Sequence, residues 1–236
     1  MQPTTSNVPR HLAIILDGNR RFAKRLMLKP WKGHEWGREK IENVLEWCRE
    51  YGIHELTLYV LSLENFNRPK EEFDYLMDVF RKEFDELLKD KRVMERNIRI
   101  NAIGRISMLP EDLQKKVKEI MEKTKNNDGY IVNFAIAYGG RAEVVDAVRK
   151  VAEEIKQGTL DVDRINEEIF ANHLYMKSEP DLIIRTAETR LSGFLLWQGS
   201  YSELIFLPDV LWPEFDKKHF VQCLEEYQIR QRRFGK

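Results

Sequence analysis

Three stretches hold residue types that could do chemistry together. The first is His11-Leu-Ala-Ile-Ile-Leu-Asp17-Gly18-Asn19-Arg20-Arg21-Phe22-Ala23-Lys24, an apolar run that ends in an Asp-Gly turn and leads into helical spacing. Backbone N–H groups at such a helix start can face a phosphate, and two guanidiniums add charge-assisted donors. Asp17 is poorly suited to bind an anion alone. It makes sense there if a hard cation, most often Mg²⁺ completed by water, bridges carboxylate and phosphate. Its plainer reading is a cap for the following helix. The chain has neither G-x-x-x-x-G-K-[ST] nor G-x-G-x-x-G, which argues against nucleotide hydrolysis and dinucleotide cofactors.

The second stretch, Leu61-Ser62-Leu63-Glu64-Asn65-Phe66-Asn67-Arg68-Pro69, places a hydroxyl, an amide and a guanidinium after another apolar run, and Pro69 suits a helix start. Asn65 and Asn67 could equally be turn formers. The third runs from Asp181 through Arg185, Arg190 and Ser192 to Glu203. Arg185, Arg190 and the Ser192 hydroxyl form a candidate second anion site, and Glu203 is a candidate metal partner for Asp17. Singly, each arginine fits a surface residue as well. Together the three stretches predict two neighbouring phosphate pockets, with Asp17, Arg185 and Glu203 adjoining.

The elements that must position these residues alternate short apolar β-type runs with longer helical patterns, as in a parallel sheet with crossover helices. Strands are predicted at 12–16, 56–61, 98–103, 130–137, 182–184 and 204–207, and helices near 35–51, 70–95, 110–127, 141–157, 163–174 and 213–232. The expectation is one α/β domain over 1–236: a mostly parallel six-stranded sheet flanked by helices, preceded by a loose arm at 1–9. Near-continuous apolar strands such as Leu-Ala-Ile-Ile-Leu suit a sheet covered on both faces. A turn is expected at Gln157–Thr159.

Composition narrows the function further. Lys+Arg and Asp+Glu are 39 each, so no global excess of charge points to nucleic acid. Locally, residues 10–40 carry nine basic against three acidic side chains, as an anionic ligand or a solvated helix face would require. Cys48 and Cys223 lie far apart and form no redox or zinc motif, which fits a reducing, cytoplasmic setting. The longest charge-free stretches are 12 residues, short of the ~20 needed to span a membrane. From Glu71 to Lys91, Phe73, Leu76, Met77, Phe80, Phe84, Leu87 and Leu88 form one apolar face. Tyr75 and Val79 lie off that face, so a second contact could line a channel for an apolar substrate tail.

These residues resemble the cis-prenyltransferases, the family of undecaprenyl and dehydrodolichyl diphosphate synthases. The likeness is carried by His11–Lys24, Gly33-His34, Leu61–Pro69, Tyr138-Gly139-Gly140-Arg141, Arg185–Gln198, Tyr201–Leu204, Pro208–Phe215 and Arg233-Phe234-Gly235, in the family's order. The Asp-rich pairs of all-trans prenyltransferases are missing. Arg20, Phe22, Pro30 and Phe66 depart from the bacterial pattern, and the Arg185–Arg190 loop is one residue shorter, as in archaeal or eukaryotic relatives.

The resemblance implies repeated condensation of isopentenyl diphosphate onto an allylic diphosphate, farnesyl or geranylgeranyl, with Z geometry, giving a precursor of a glycan carrier lipid. It implies that Asp17 handles Mg²⁺ and the allylic diphosphate, and that Gly18, Asn19, Arg20, Arg21, His34 and Arg68 grip its phosphates. Arg185, Arg190 and Ser192 would hold isopentenyl diphosphate, Glu203 would share the metal, and Asn65 with Ser62 would assist proton removal. Arg233 and Gly235, in a tail at 228–236, would reach across a homodimer to the same phosphate. An apolar tunnel should receive the product, with peripheral membrane contact an option for its release. The rival reading is a non-catalytic subunit of a heteromeric enzyme, and the joint presence of Asp17, Asn65, Arg185 and Arg190 argues against it.

Overall fold

The computed structural model describes residues 8–230, with backbone alone at positions 34, 35 and 38. Strand β1 (His11–Ile15) leads to helix α1 (Asn19–Arg25), and α2 (Gly33–Tyr51) leads to β2 (Glu55–Ser62). Next come α3 (Lys70–Lys89), α4 (Lys91–Glu95), β3 (Ile98–Ile103), α5 (Glu111–Thr124), β4 (Tyr130–Tyr138) and α6 (Gly140–Lys156). The chain continues through α7 (Glu167–Asn172), β5 (Leu182–Thr186), β6 (Glu203–Leu207) and α8 (Lys217–Ile229). All five strand pairings are parallel, in the order β3-β4-β2-β1-β5-β6.

The chain builds outward from β1 on one side and later returns to add β5 on the other. The crevice beyond the carboxyl ends of β1 and β5 is therefore the switch point where open α/β sheets take their ligands. Burial follows the period-two alternation of a strand. Leu12 and Ile14 pack with Val44, Trp212, Phe215 and Phe220 on one face, while Ala13 and Ile15 pack with Tyr59, Ile183 and Phe194 on the other. A third cluster joins Leu76, Met77 and Phe84 of α3 to Leu113, Val117 and Ile120 of α5.

Several helix limits differ from the sequence reading for local reasons. The helix expected at 70–95 breaks at Asp90, whose Oδ1 accepts the Arg92 N–H at 2.9 Å and so caps α4. The one at 163–174 shrinks to α7, capped by Asn166 Oδ1 at 2.8 Å from the Ile169 N–H. Asp216 starts α8 in the same way, so 212–214 forms a separate 3₁₀ turn. The turn expected at Gln157–Thr159 is present, with Gly158 at φ 73. Pro9, expected in a loose arm, is already buried.

Gly140 lets α6 start against the loop that follows β5. Its N–H donates to the Gly193 carbonyl at 2.8 Å, and a Cβ there would lie 2.3 Å from the same oxygen. Gly140→Ala should cost about 1–3 kcal/mol by overpacking, read as a fall of several degrees in Tm by calorimetry. An unchanged Tm would show that α6 and the loop do not touch there.

Candidate active site

The first loop of the site is set by the end of β1. Ile15 pairs with Arg185 across the β1/β5 ladder, and two residues on, the Asp17 backbone is held by Thr186. The Asp17 N–H donates to Thr186 Oγ1 at 3.1 Å, and that hydroxyl donates to the Asp17 carbonyl at 2.7 Å. Gly18 then turns the chain into α1 with φ 110, in the left-handed region that glycine adopts without a steric penalty. Its N–H donates to Asp17 Oδ1 at 2.7 Å. Asp17 is thus fixed at a strand end with Oδ2 directed at β5.

Arg185 lies there, 4% exposed, and its Nη2 donates to Asp17 Oδ2 at 2.8 Å. Its Nη1 donates to Ser192 Oγ at 2.7 Å and to the Arg190 carbonyl. The Nε is buried without a partner among the described residues. The loop carrying Arg190 and Ser192 departs from ordinary backbone geometry, with φ 67 at Ala187, 48 at Ser192 and 46 at Leu195. Non-glycine residues in that region cluster at binding sites, where the surrounding structure over-determines them.

Two acidic hubs position the other arginines. Glu188 lies 3.1 Å from Arg21 and 2.7 Å from Arg190, and Arg21 also donates to the Ala187 carbonyl at 2.8 Å. Glu72, 1% exposed, lies 2.9 Å from Arg68 and 3.4 Å from Arg20. Burial lowers the Arg68 pKa, and Glu72 opposes that shift, so the guanidinium stays charged. Neither hub was among the candidates read from sequence. Glu72 could have been found there as the i+4 partner of Arg68 at a helix start.

Asp17, Gly18, Asn19, Arg20, Arg21, Ser62, Asn65, Arg68, Arg185, Arg190 and Ser192 all line one cavity of about 1630 Å³. Arg141, part of the stretch that carries the resemblance but given no role there, lines it too, as does Tyr59, which was unforeseen. The Tyr59 hydroxyl donates to the Tyr138 carbonyl at 3.1 Å, and burial holds its pKa well above the ordinary value, so it stays a neutral donor. Ser62 and Asn65 cap each other reciprocally, with Asn65 Oδ1 accepting the Ser62 N–H at 3.1 Å. The turn-forming role and the place in the cavity therefore coexist at Asn65.

Glu203 is a correction. It begins β6 level with Leu182, which pairs with Leu12, so it sits at the amino ends of the strands. Asp17 lies beyond their carboxyl ends, five residues past Leu12, a separation on the order of 15 Å at the rise of a strand. Glu203 instead lies 3.1 Å from Arg230, the last described residue. The predicted meeting of three groups reduces to Asp17 and Arg185. The His34 side chain, Arg233 and Gly235 lie outside the described residues.

No group of three or more His, Cys, Asp or Glu side chains suited to a metal occurs among the described residues. A single fixed carboxylate beside an arginine-rich pocket does fit Mg²⁺, which usually takes one or two carboxylates, waters and substrate phosphates in place of a protein cage. Away from the arginines the cavity becomes apolar. It runs between Ile41 and Leu45 of α2 and Leu76, Val79, Phe80, Phe84 and Leu87 of α3, over Ile100, Val132 and Phe134. Of the two off-face residues, Val79 lines it, while Tyr75 lies under the Lys32 ammonium at 5.3 Å.

Known proteins resemble the chain over nearly its whole length. The chain is 48% identical over 235 residues to the tritrans,polycis-undecaprenyl-diphosphate synthase (geranylgeranyl-diphosphate specific) of Methanocaldococcus jannaschii, covering 98% of this chain and 84% of that one. It is 47% identical to the Thermococcus kodakarensis protein of the same name, covering 98% and 89%. Lavandulyl diphosphate synthase from Lavandula x intermedia, solved with dimethylallyl diphosphate, superposes with a TM-score of 0.92 at 37% identity, covering 97% and 99%. Since the prenyltransferase family described by undecaprenyl diphosphate synthase also matches residues 15–235, the chain belongs to that family of cis-prenyltransferases.

Proposed function

We propose that this enzyme adds isopentenyl diphosphate units repeatedly to geranylgeranyl diphosphate, making a long Z-configured polyprenyl diphosphate. The observation that carries the reading is the continuity of one cavity from the Asp17–Arg185 pair to an apolar passage between α2 and α3. At about 1630 Å³ it exceeds the ~300–1,000 Å³ of a drug-sized ligand site. Each added five-carbon unit gains about 4 kcal/mol of burial at ~0.8 kcal/mol per CH₂, which favours threading the tail into that passage. The archaeal relatives named for geranylgeranyl diphosphate support the choice of primer over farnesyl diphosphate.

In this reading Arg20, Arg21 and Arg68 grip the allylic diphosphate, with Asn19 and Gly18 shaping the turn beneath it. Arg185, Arg190 and Ser192 hold the diphosphate of isopentenyl diphosphate. Cleavage of the allylic C–O bond puts negative charge on the departing diphosphate, and fixed guanidiniums stabilise that charge without having to reorganise. Attack by the homoallylic double bond needs alignment and no nucleophilic side chain. Asn65 is an amide and no Brønsted base, so it can orient the proton lost as the new double bond forms but not keep it; the released diphosphate is the base that takes it up. Mg²⁺, when bound, would be held by Asp17 together with substrate phosphates and would neutralise charge on the leaving group. The enzyme forms a homodimer in which Arg233 and Gly235 reach the partner's phosphate. Among the described residues no helix is long and apolar enough to cross a membrane.

With Mg²⁺ and labelled isopentenyl diphosphate, the protein should form butanol-extractable long-chain product, with a higher kcat/KM for geranylgeranyl than for farnesyl diphosphate. A chelator should stop the reaction and added Mg²⁺ restore it. No incorporation with any allylic primer would overturn the reading. Asp17→Ala should lower turnover by about 10²–10³-fold, the scale of losing one electrostatic group, while calorimetry still detects isopentenyl diphosphate binding. Unchanged turnover would remove Asp17 from its role. Glu72→Gln frees Arg20 and Arg68 from their hub and should raise the allylic KM about tenfold, equivalent to ~1.4 kcal/mol. A lowered Tm with an unchanged KM would assign Glu72 to folding alone.

A further inference from the structure

The cavity does not end in apolar side chains. Past Phe84 and Val93 its lining reaches Glu42 and Glu46 of α2, then Arg92 of α4 and Arg96 just after it. These form pairs between the helices. Arg96 Nη1 donates to Glu46 Oε1, and Arg49 lies 3.1 Å from Glu46 Oε2. Arg92 lies 3.8 Å from Glu42 and 2.7 Å from Asp90. The hydrogen bond from Arg96 also holds the Glu46 carboxyl below its ordinary range. With Arg96 33% and Glu46 40% exposed, this end of the cavity comes to the surface, behind a rim of ion pairs.

A hydrocarbon end advancing along the apolar wall gains burial at each step until it meets that rim. There it must strip charged groups of their partners and water, and it finds no further apolar contact. Such partly exposed pairs contribute little to stability, so they can part without unfolding the helices around them. We infer that the Glu46–Arg96 pair, flanked by Arg92 and Glu42, sets product length: it arrests the chain end at α4 and, once parted, lets a longer chain leave between α2 and α4. The break at Asp90 makes this possible, because α4 starts afresh there and brings Arg92, and Arg96 at its end, to α2. The inference rests on the elongation reading above and adds the residues that decide where elongation stops.

Mass spectrometry of products made from geranylgeranyl and isopentenyl diphosphates tests it. Glu46→Ala and Arg96→Ala should each move the modal product up by at least one five-carbon unit, and the exchange Glu46→Arg with Arg96→Glu should move it back. A second measurement starts from the wild type. Raising salt to about 1 M, where screening falls to ~3 Å, should lengthen the wild-type products. It should leave those of the double Glu46→Ala, Arg96→Ala variant where they are. Wild-type protein that incorporates no label overturns the elongation reading and this inference with it. An active wild type whose product series moves neither with salt nor with substitution overturns this inference alone.

Discussion

A guanidinium almost sealed from water must be answered by an anion, and at Arg185 that anion is Asp17. Removing one member of such a pair leaves the other charge buried and uncompensated, which costs far more than a surface contact. The pair also joins the carboxyl ends of β1 and β5, the two strands that flank the switch point of the sheet. Thr186 makes the same join through the backbone, so the geometry is specified twice. Everything else at the site is arranged around this junction. The turn at Gly18 depends on where Asp17 stops, and the Ser192 hydroxyl depends on where Arg185 reaches.

Around the junction, charge is organised by carboxylates that line up cations. Glu72 and Glu188 each serve two arginines, so four long side chains that would otherwise sample many rotamers are held toward one cavity. Ordering such side chains at the moment of binding costs entropy, and holding them beforehand lowers that cost. The same cavity passes from this cationic end into a wall of leucine, phenylalanine and valine. Its two chemistries match the two ends of an amphiphile.

Most of the fold was legible in the sequence because the sheet is covered on both faces. Runs such as Leu-Ala-Ile-Ile-Leu have no reason to be so apolar otherwise, and all six strands lie within two residues of their expected ends. Asp17, Arg68 and Arg185 were legible for a related reason: each follows or ends an apolar run where a parallel sheet presents its ligand side. Glu203 misled because it adjoins a strand at the wrong end. A carboxylate that precedes a parallel strand lies at the opposite edge of the sheet from one that follows its neighbour, a polarity that the order of residues and strand already contains. Glu72 stayed hidden because an acidic residue in a first helical turn is ordinary, and its burial depends on tertiary packing. The division of α3 from α4 turned on Asp90 alone, one polar residue within a strong helical period.

The loop from Ala187 to Leu195 carries a consequence for repeated turnover. Its left-handed residues are set by contacts within the protein: Ala187 donates to Leu207, Gly193 accepts from Gly140, and Ser192 accepts from Arg185. The conformational expense is met once, as the chain folds. On the proposed assignment of Arg190 and Ser192 to isopentenyl diphosphate, an incoming monomer has nothing to mould there, and successive monomers would meet a surface that keeps its shape throughout a long synthesis.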